Sequence, residues 1–156
     1  MTEQAKAIVL APQATVPHCV MAYGAVCGTP KLLLRLEAAA VVVLAVILYS
    51  RLGESFRWFA LLFFTPDLSI AGYLAGRRTG AAIYNGAHSY IAPALMLGIA
   101  YLTNYHLGLS IALIWLAHIG LDRMLGFGLK YSTGFTDTHL GRIGGELQDN
   151  PRWGRG

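Results

Sequence analysis

Charged side chains are scarce in this sequence. Asp, Glu, Lys and Arg make up 13% of its 156 residues, against roughly 25% in an average soluble protein. A chain with so few charges does not have the polar residues to cover the surface of a soluble domain. The composition therefore argues against a soluble fold, and the length allows one domain.

Cysteine is also rare, and the two cysteines form no metal-binding motif. Cys19 and Cys27 precede the first long apolar run and do not have CxxC spacing, so we expect ordinary thiols. The formal charge of +4 comes from Lys and Arg residues at the edges of apolar runs. Because no basic stripe alternates with aromatic residues, we expect no nucleic-acid partner.

Long apolar runs are what the sequence has in abundance. Hydrophobic residues make up 55% of the chain, and four runs approach the ~20 residues that a helix needs to cross a bilayer. We predict transmembrane helices at residues 32–49, 56–76, 81–103 and 107–127. Because the connections are short, neighbouring helices should run antiparallel. The predicted fold class is an all-α membrane protein with about four helices in an up-and-down bundle.

Polar segments flank the predicted bundle. Residues 1–30, with their prolines, are expected to be a poorly ordered or interfacial N-terminal extension. Residues 31–131 form the transmembrane domain, and residues 132–156 form a Gly-rich cytoplasmic tail. Lys and Arg concentrate at the face shared by both termini, so the positive-inside rule predicts cytoplasmic termini in a plasma membrane. The lipid bilayer is the expected partner.

Ionisable side chains interrupt the predicted helices, where a charge costs about 2.5–3.5 kcal/mol. His118 and Asp122 are four residues apart and share a helix face, and Pro66 removes a backbone hydrogen bond beside Asp67. Counting the rise of ~1.5 Å per residue along helices of alternating direction brings five side chains to similar heights in the cytoplasmic half. They are Glu37, Asp67, His88, His118 and Asp122.

We interpret four of these residues, Asp67, His88, His118 and Asp122, as candidate ligands of a divalent metal such as zinc, manganese or iron. Asp67 or Glu37 is the candidate catalytic base that would accept a proton from water. The candidate supporting residues lie near the same end of the bundle or in the tail. They are Asn85, Arg123, Lys130 and His139.

Two classes of function follow from this cluster. The first is a metal-dependent hydrolase that attacks an ester or phosphoester at the cytoplasmic leaflet. The alternative is a non-catalytic membrane protein, namely a small transporter, a proton- or cation-binding subunit or a structural scaffold. In it, Asp67 and Asp122 pair with Arg35 or Arg123. Four helices are few for a transporter, so that alternative would involve a homo-oligomer.

Five stretches together resemble a known family. In order, they are RLEAAAVVVLAVILYS, TPDLSIAGYLAG, YNGAHSYIAP, IWLAHIGLDRMLGFGLKY and GFTDTHLGRIG. They resemble the bacterial membrane family catalogued as domain of unknown function 4260, over roughly residues 33–144. That family has no established activity, so the resemblance implies the fold and a bacterial inner membrane while leaving the function open.

A more distant likeness is to the membrane-bound metal-dependent hydrolases. The elements similar to their Pro-Asp, histidine-bearing and His-x-x-x-Asp motifs would be Pro66–Asp67, His88–Ser89 and His118–Asp122. The chain departs from that pattern at Ser69, where a second acidic residue often follows, and at Tyr84, where a second histidine would lie. Both departures leave fewer metal ligands than the pattern implies.

Overall fold

A computed structural model describes residues 25–143, and over this range the chain is mostly helical. The elements are α1 (Gly28–Arg51), α2 (Phe56–Leu62), a 3₁₀ helix (Thr65–Ala75), α3 (Arg77–Ala87), α4 (Ile91–Leu102), α5 (His106–Leu125), β1 (Asp137–Thr138) and β2 (Gly141–Arg142). The two short strands pair as an antiparallel hairpin. Most of the predicted N-terminal extension, and the tail after residue 143, lie outside the described residues.

Three helical stretches among the described residues are long and apolar enough to cross a membrane. They are Gly28–Arg51, Phe56–Ala75, which joins α2 to the 3₁₀ helix, and His106–Leu125. Large apolar side chains such as Leu33, Leu44 and Leu61 are more than half exposed along them. Soluble monomers rarely expose apolar surface on this scale. The structure therefore indicates a membrane protein.

The region of the third predicted span, residues 81–103, contains two helices instead of one. α3 and α4 are 11 and 12 residues long, and they are separated at His88–Tyr90. Pro93 has no N–H to donate to the carbonyl of Ser89, so a continuous helix would lose a hydrogen bond there. The chain instead restarts, with Pro93 in the first turn of α4, where the missing donor costs little. The number of crossings stays a prediction.

α5 is the central helix. It packs against α1, α4 and α2, whereas α3 packs against the 3₁₀ helix. The contacts between α1 and α5 are antiparallel: Arg35 Nε donates to the Met124 carbonyl at 2.7 Å, and at the other end Tyr49 packs with Leu113. This arrangement leaves the C-terminal half of α5 beside the start of α1.

The first part of the predicted tail packs onto this end of the bundle. Leu140 is buried, the backbone N–H of His139 donates to the Leu129 carbonyl at 3.1 Å, and the N–H of Val26 donates to the His139 carbonyl at 2.8 Å. Cys27 is disulfide-bonded, so the expectation of an ordinary thiol is wrong at this position. The hydrogen bond from Val26 to His139 holds the segment before α1 to the segment after α5.

The close packing of α1 on α5 can be tested at Gly120. A Cβ added there would lie 2.8 Å from Val42 Cγ2 and 3.0 Å from the Ala38 carbonyl oxygen. We expect Gly120→Ala to lower the free energy of unfolding by about 1–3 kcal/mol. The matched control is Gly98→Ala in α4, where nothing lies within 4 Å of the added Cβ and alanine should be neutral or slightly stabilising. Thermal unfolding in detergent compares the two variants, and equal midpoints would contradict the close packing.

Candidate metal centre

Four of the predicted side chains converge at one point in the bundle. One ligand atom from each of Asp67, His88, His118 and Asp122 lies within 4.8 Å of the others. The Nε2 atoms of the two histidines are 3.3 Å apart. Asp67 Oδ1 lies 3.4 Å and 3.5 Å from these two nitrogens, and Asp122 Oδ2 lies 3.6 Å and 3.8 Å from them. These residues come from the 3₁₀ helix, the end of α3 and the C-terminal half of α5.

Five of the six separations between these atoms are close to those around a tetrahedral metal ion. Four ligands at about 2.0–2.2 Å from an ion, at the corners of a regular tetrahedron, are about 3.3–3.6 Å from one another. The five separations given above range from 3.3 to 3.8 Å. Two imidazole nitrogens and two carboxylate oxygens are also a donor set that zinc and other first-row divalent ions accept.

His88 is oriented by the backbone of its own helix. Its Nδ1 lies 3.0 Å from the Tyr84 carbonyl oxygen, so the proton of the neutral ring belongs on Nδ1 and the lone pair of Nε2 faces the cluster. The Tyr84 ring stacks almost parallel on this imidazole, with centroids 3.8 Å apart. The residue is 4% exposed. Its ring therefore has little freedom to turn away from the site.

His118 is oriented in a related way by the irregular backbone at Pro66. Pro66 has no N–H, and the N–H of Asp67 donates to Phe64 at 3.2 Å, so neither provides the usual helical donor to the Phe63 carbonyl. That carbonyl interacts with the His118 ring, although buried Nδ1 makes no hydrogen bond of good geometry. If the proton of the neutral His118 ring is on Nδ1 and faces this carbonyl, Nε2 is again the acceptor in the cluster.

Glu37, the fifth predicted side chain, is not in the cluster. It is exposed and lines a separate cavity of about 160 Å³ together with Tyr90, Arg123 and His139. Arg123 places its guanidinium over the Tyr90 ring, 4.3 Å from the centroid. Glu37 thus lies apart from the four candidate ligands, whereas Arg123 lines both this cavity and a small pocket that it shares with His88 and Asp122.

Asn85 and Lys130, two of the predicted supporting residues, are bonded to each other. The Asn85 amide donates Nδ2–H to the Lys130 carbonyl at 2.9 Å and accepts the Lys130 N–H on Oδ1 at 2.7 Å. This pair of hydrogen bonds fixes the chain after α5 to α3. The supporting role of Asn85 is therefore to hold the Lys130 backbone.

Aromatic residues around Lys130 were missed by sequence reasoning. The Lys130 ammonium lies over the rings of Phe135, Tyr84 and Tyr73, at 3.1, 4.3 and 5.7 Å from their centroids. Burial among these rings lowers the pKa of Lys130 to about 8, although the negative charges of Asp122 and Asp67 act to raise it. One signal was available for Tyr84, which stands four residues before His88 and so shares its helix face.

These features define a class of protein: a helical chain with membrane-length apolar helices and a buried His/Asp cluster able to hold a metal ion. The family follows from a match of residues 31–143 to the model of DUF4260, a domain of unknown function, and the chain belongs to this family. Neither a curated protein nor a solved structure matches the chain.

His139, the last predicted supporting residue, makes the docking of the tail sensitive to pH. Its Nδ1 accepts the Leu129 N–H at 2.8 Å, and burial, followed by the charge of Arg123, lowers the pKa of His139 from its ordinary value of 6.5. As the pH falls, His139 of an undocked tail would therefore be protonated at a higher pH than His139 of the docked tail. The docked state should be fully stable above pH 6.5 and lose stability as the pH falls through the lowered pKa.

Hydrogen exchange of the Leu129 amide measures this loss directly. In the wild type, we expect its protection to decrease between pH 6.5 and about pH 5. In His139→Asn the side-chain oxygen can accept the same N–H but does not titrate, so protection should change less with pH after correction for the intrinsic exchange rate. Equal pH dependence in both proteins would show that His139 does not control the docking.

Proposed function

We propose that Asp67, His88, His118 and Asp122 bind a divalent metal ion and that the protein is a metal-dependent hydrolase of esters or phosphoesters at the membrane. The observation that supports this most strongly is the orientation of the two imidazoles. Both present Nε2 to the same point, 3.3 Å apart, beside two carboxylates. Four acceptors facing one another repel unless a cation or protons lie between them.

The charges of the cluster are consistent with a divalent ion. Two carboxylates neutralise its charge, and no Lys or Arg in the described part of the chain lies within 4.0 Å of Asp67 or Asp122. Arg35, which the ion-pair alternative assigned to them, instead donates to the Met124 carbonyl. The arginine pairs required by a purely structural scaffold are therefore not formed.

The exposure of the candidate ligands indicates which carboxylate would accept a proton from water. A divalent ion in such a site acts as a Lewis acid and makes water a stronger nucleophile near neutral pH. Asp67 is 39% exposed, against 21% for Asp122 and 2% for His118. Asp67 is thus the carboxylate best placed to meet water and to accept its proton, whereas Glu37 lines a different cavity.

The charge distribution supports a cytoplasmic position for this end of the bundle. Lys31, Arg35, Arg123 and Lys130 all lie where α1 begins and α5 ends, and the positive-inside rule assigns that end to the cytoplasmic side of a plasma membrane. The disulfide of Cys27 argues for the opposite side, since disulfides persist in oxidising compartments. A reporter at the C-terminus distinguishes the two orientations.

Reporter proteins fused after residue 156 decide the orientation. We expect a fused green fluorescent protein to be fluorescent and a fused alkaline phosphatase to be inactive, because the first matures in the cytoplasm and the second requires disulfides formed outside it. An active phosphatase with a dark fluorescent protein would reverse the proposed topology and move the metal site to the external face.

Metal content tests the site itself. We expect mass spectrometry to find close to one zinc, manganese or iron ion per chain in the detergent-purified wild type. In Asp67→Asn and in His118→Ala, the metal content per chain should be at least about tenfold lower than in the wild type. His106→Ala is the matched control, because His106 is an exposed histidine on the same helix and its loss should leave the metal content unchanged.

The result also decides between the two classes of function. Correctly folded wild type that binds no metal, even after reloading, would support the non-catalytic alternative, in which protons stabilise the His/Asp cluster. Metal lost only in the cluster variants would justify a screen of ester and phosphoester substrates. Because Asp67→Asn preserves the size of the side chain, loss of metal in this variant would reflect the ligand and not the packing.

A further inference from the structure

We propose that this site binds an anionic amphiphile, with its anionic head at Lys130 beside the metal cluster and its apolar chain in the cavity on the other side of the cluster. This inference rests on the proposed metal site and names the substrate class for it. A phospholipid fragment or another long-chain phosphate has this chemistry. Two independent features support it, a buried lysine and an adjoining apolar cavity.

Lys130 is a buried cation without a counter-ion at contact distance in the described part of the chain. The residue is 5% exposed, and no carboxylate in residues 25–143 lies within 4.0 Å of its ammonium. Aromatic faces stabilise it in part, with Phe135 at 3.1 Å and Tyr84 at 4.3 Å from their centroids. An ammonium group held in this way still has hydrogen-bond donors to offer to an anion.

The position of Lys130 is fixed by the fold. The two hydrogen bonds of Asn85 to its backbone, at 2.7 and 2.9 Å, attach it to α3 one turn before His88. Tyr84, which carries the ammonium on its ring, also stacks on the His88 imidazole. The lysine and the metal cluster are therefore parts of one packed unit, joined through the Tyr84 ring.

The sum of charges calls for an anion. Asp67 and Asp122 contribute two negative charges, a divalent ion adds two positive charges, and Lys130 adds one more. The loaded site thus carries one net positive charge in a poorly solvated region, where an uncompensated charge is costly. A phosphate monoester or diester supplies the missing negative charge, with oxygens that accept hydrogen bonds from an ammonium group.

A mostly apolar cavity of about 330 Å³ adjoins the cluster. Its lining includes Pro66 and Ala87, the residues that directly precede Asp67 and His88, together with Ile111 and Trp115 of α5. The one buried polar atom without a partner in this lining is the Ser69 hydroxyl oxygen. The cavity therefore suits an alkyl chain, with one group available to a polar atom near the head.

The apolar cavity and Lys130 lie on opposite sides of the metal cluster, as measured in the direction of the α5 axis. Ile111 precedes His118 by seven residues, or about 10 Å of helix, and Asp122 follows His118 by about 6 Å in the other direction. Lys130 lies beyond Asp122, at the end where the positively charged residues collect. A lipid entering with its head at that end and its chain toward the bilayer interior would thus pass its ester linkage beside the cluster.

The first experiment measures the role of the charge. Zinc-loaded protein in neutral detergent is titrated with inorganic phosphate, octyl phosphate and octyltrimethylammonium, using calorimetry. We expect both phosphates to bind at least about tenfold more weakly to Lys130→Met than to the wild type, and Lys130→Arg to retain most of the affinity. In the wild type alone, which requires no variant to fold, octyl phosphate should bind more tightly than the cationic amphiphile of the same chain length.

The second experiment measures the role of the cavity. Ile111→Trp fills it, while Leu95→Trp fills a different apolar cavity of about 370 Å³ lined by α4 and serves as the matched control. We expect octyl phosphate to bind the wild type and Leu95→Trp about tenfold or more tightly than inorganic phosphate, and Ile111→Trp to lose this advantage. The detergent concentration is kept constant so that partitioning into micelles is the same for all proteins.

The outcomes separate this inference from the proposed metal site. If the wild type binds no zinc, the metal site fails and the inference fails with it. If zinc binds but Lys130→Met leaves phosphate affinity unchanged, the inference is overturned while the metal site stands. If Lys130→Met weakens both phosphates but Ile111→Trp has no effect, the substrate is a soluble phosphate ester, and the amphiphile is excluded.

Discussion

Two imidazoles and two carboxylates held face to face among apolar helices are the constraint on which the rest of the structure depends. Nε2 of His88 lies 3.3 Å from Nε2 of His118, and the carboxylates of Asp67 and Asp122 lie 3.4–3.8 Å from these nitrogens. In a region of low dielectric such a group is stable only when a cation or protons lie among its members. The surrounding backbone limits where the protons can be, because the Tyr84 carbonyl accepts a hydrogen bond from Nδ1 of His88 and so keeps the proton of the neutral ring away from Nε2.

The backbone departs from a regular α-helix where it delivers these side chains. A 3₁₀ helix replaces the α-helix at Pro66, next to Asp67. The helical structure is interrupted between α3 and α4, immediately after His88. Irregular backbone within a membrane is tolerated only where the protein or a cavity compensates for the lost hydrogen bonds. Here the compensating partners include the Asn85 side chain, which bonds to the returning chain at Lys130, and Trp115, which donates to the Ala87 carbonyl at 2.7 Å.

Heights along the helices were predictable, but directions around them were not. Counting residues brought Glu37 to the level of Asp67, His88 and His118, yet α1 turns Ala38 and Ala45 toward the buried interior and leaves Glu37 exposed. The packing angle of α1 against α5 depends on which small residues allow close approach, and Gly120, against Ala38 and Val42, sets it. A hydropathy pattern contains no information on this angle when a helix is apolar on all sides.

By itself, the sequence determined that the protein has membrane-length apolar helices and that a few ionisable residues must find partners among them, because composition and the cost of burying charge require both. Its spacing also determined that His118 and Asp122 share a face. Only the tertiary structure decided that the Tyr84 ring packs on the Lys130 ammonium and that the Asn85 side chain bonds to the Lys130 backbone. These contacts join residues far apart in the chain, and their geometry arises from packing between elements, which no local pattern specifies.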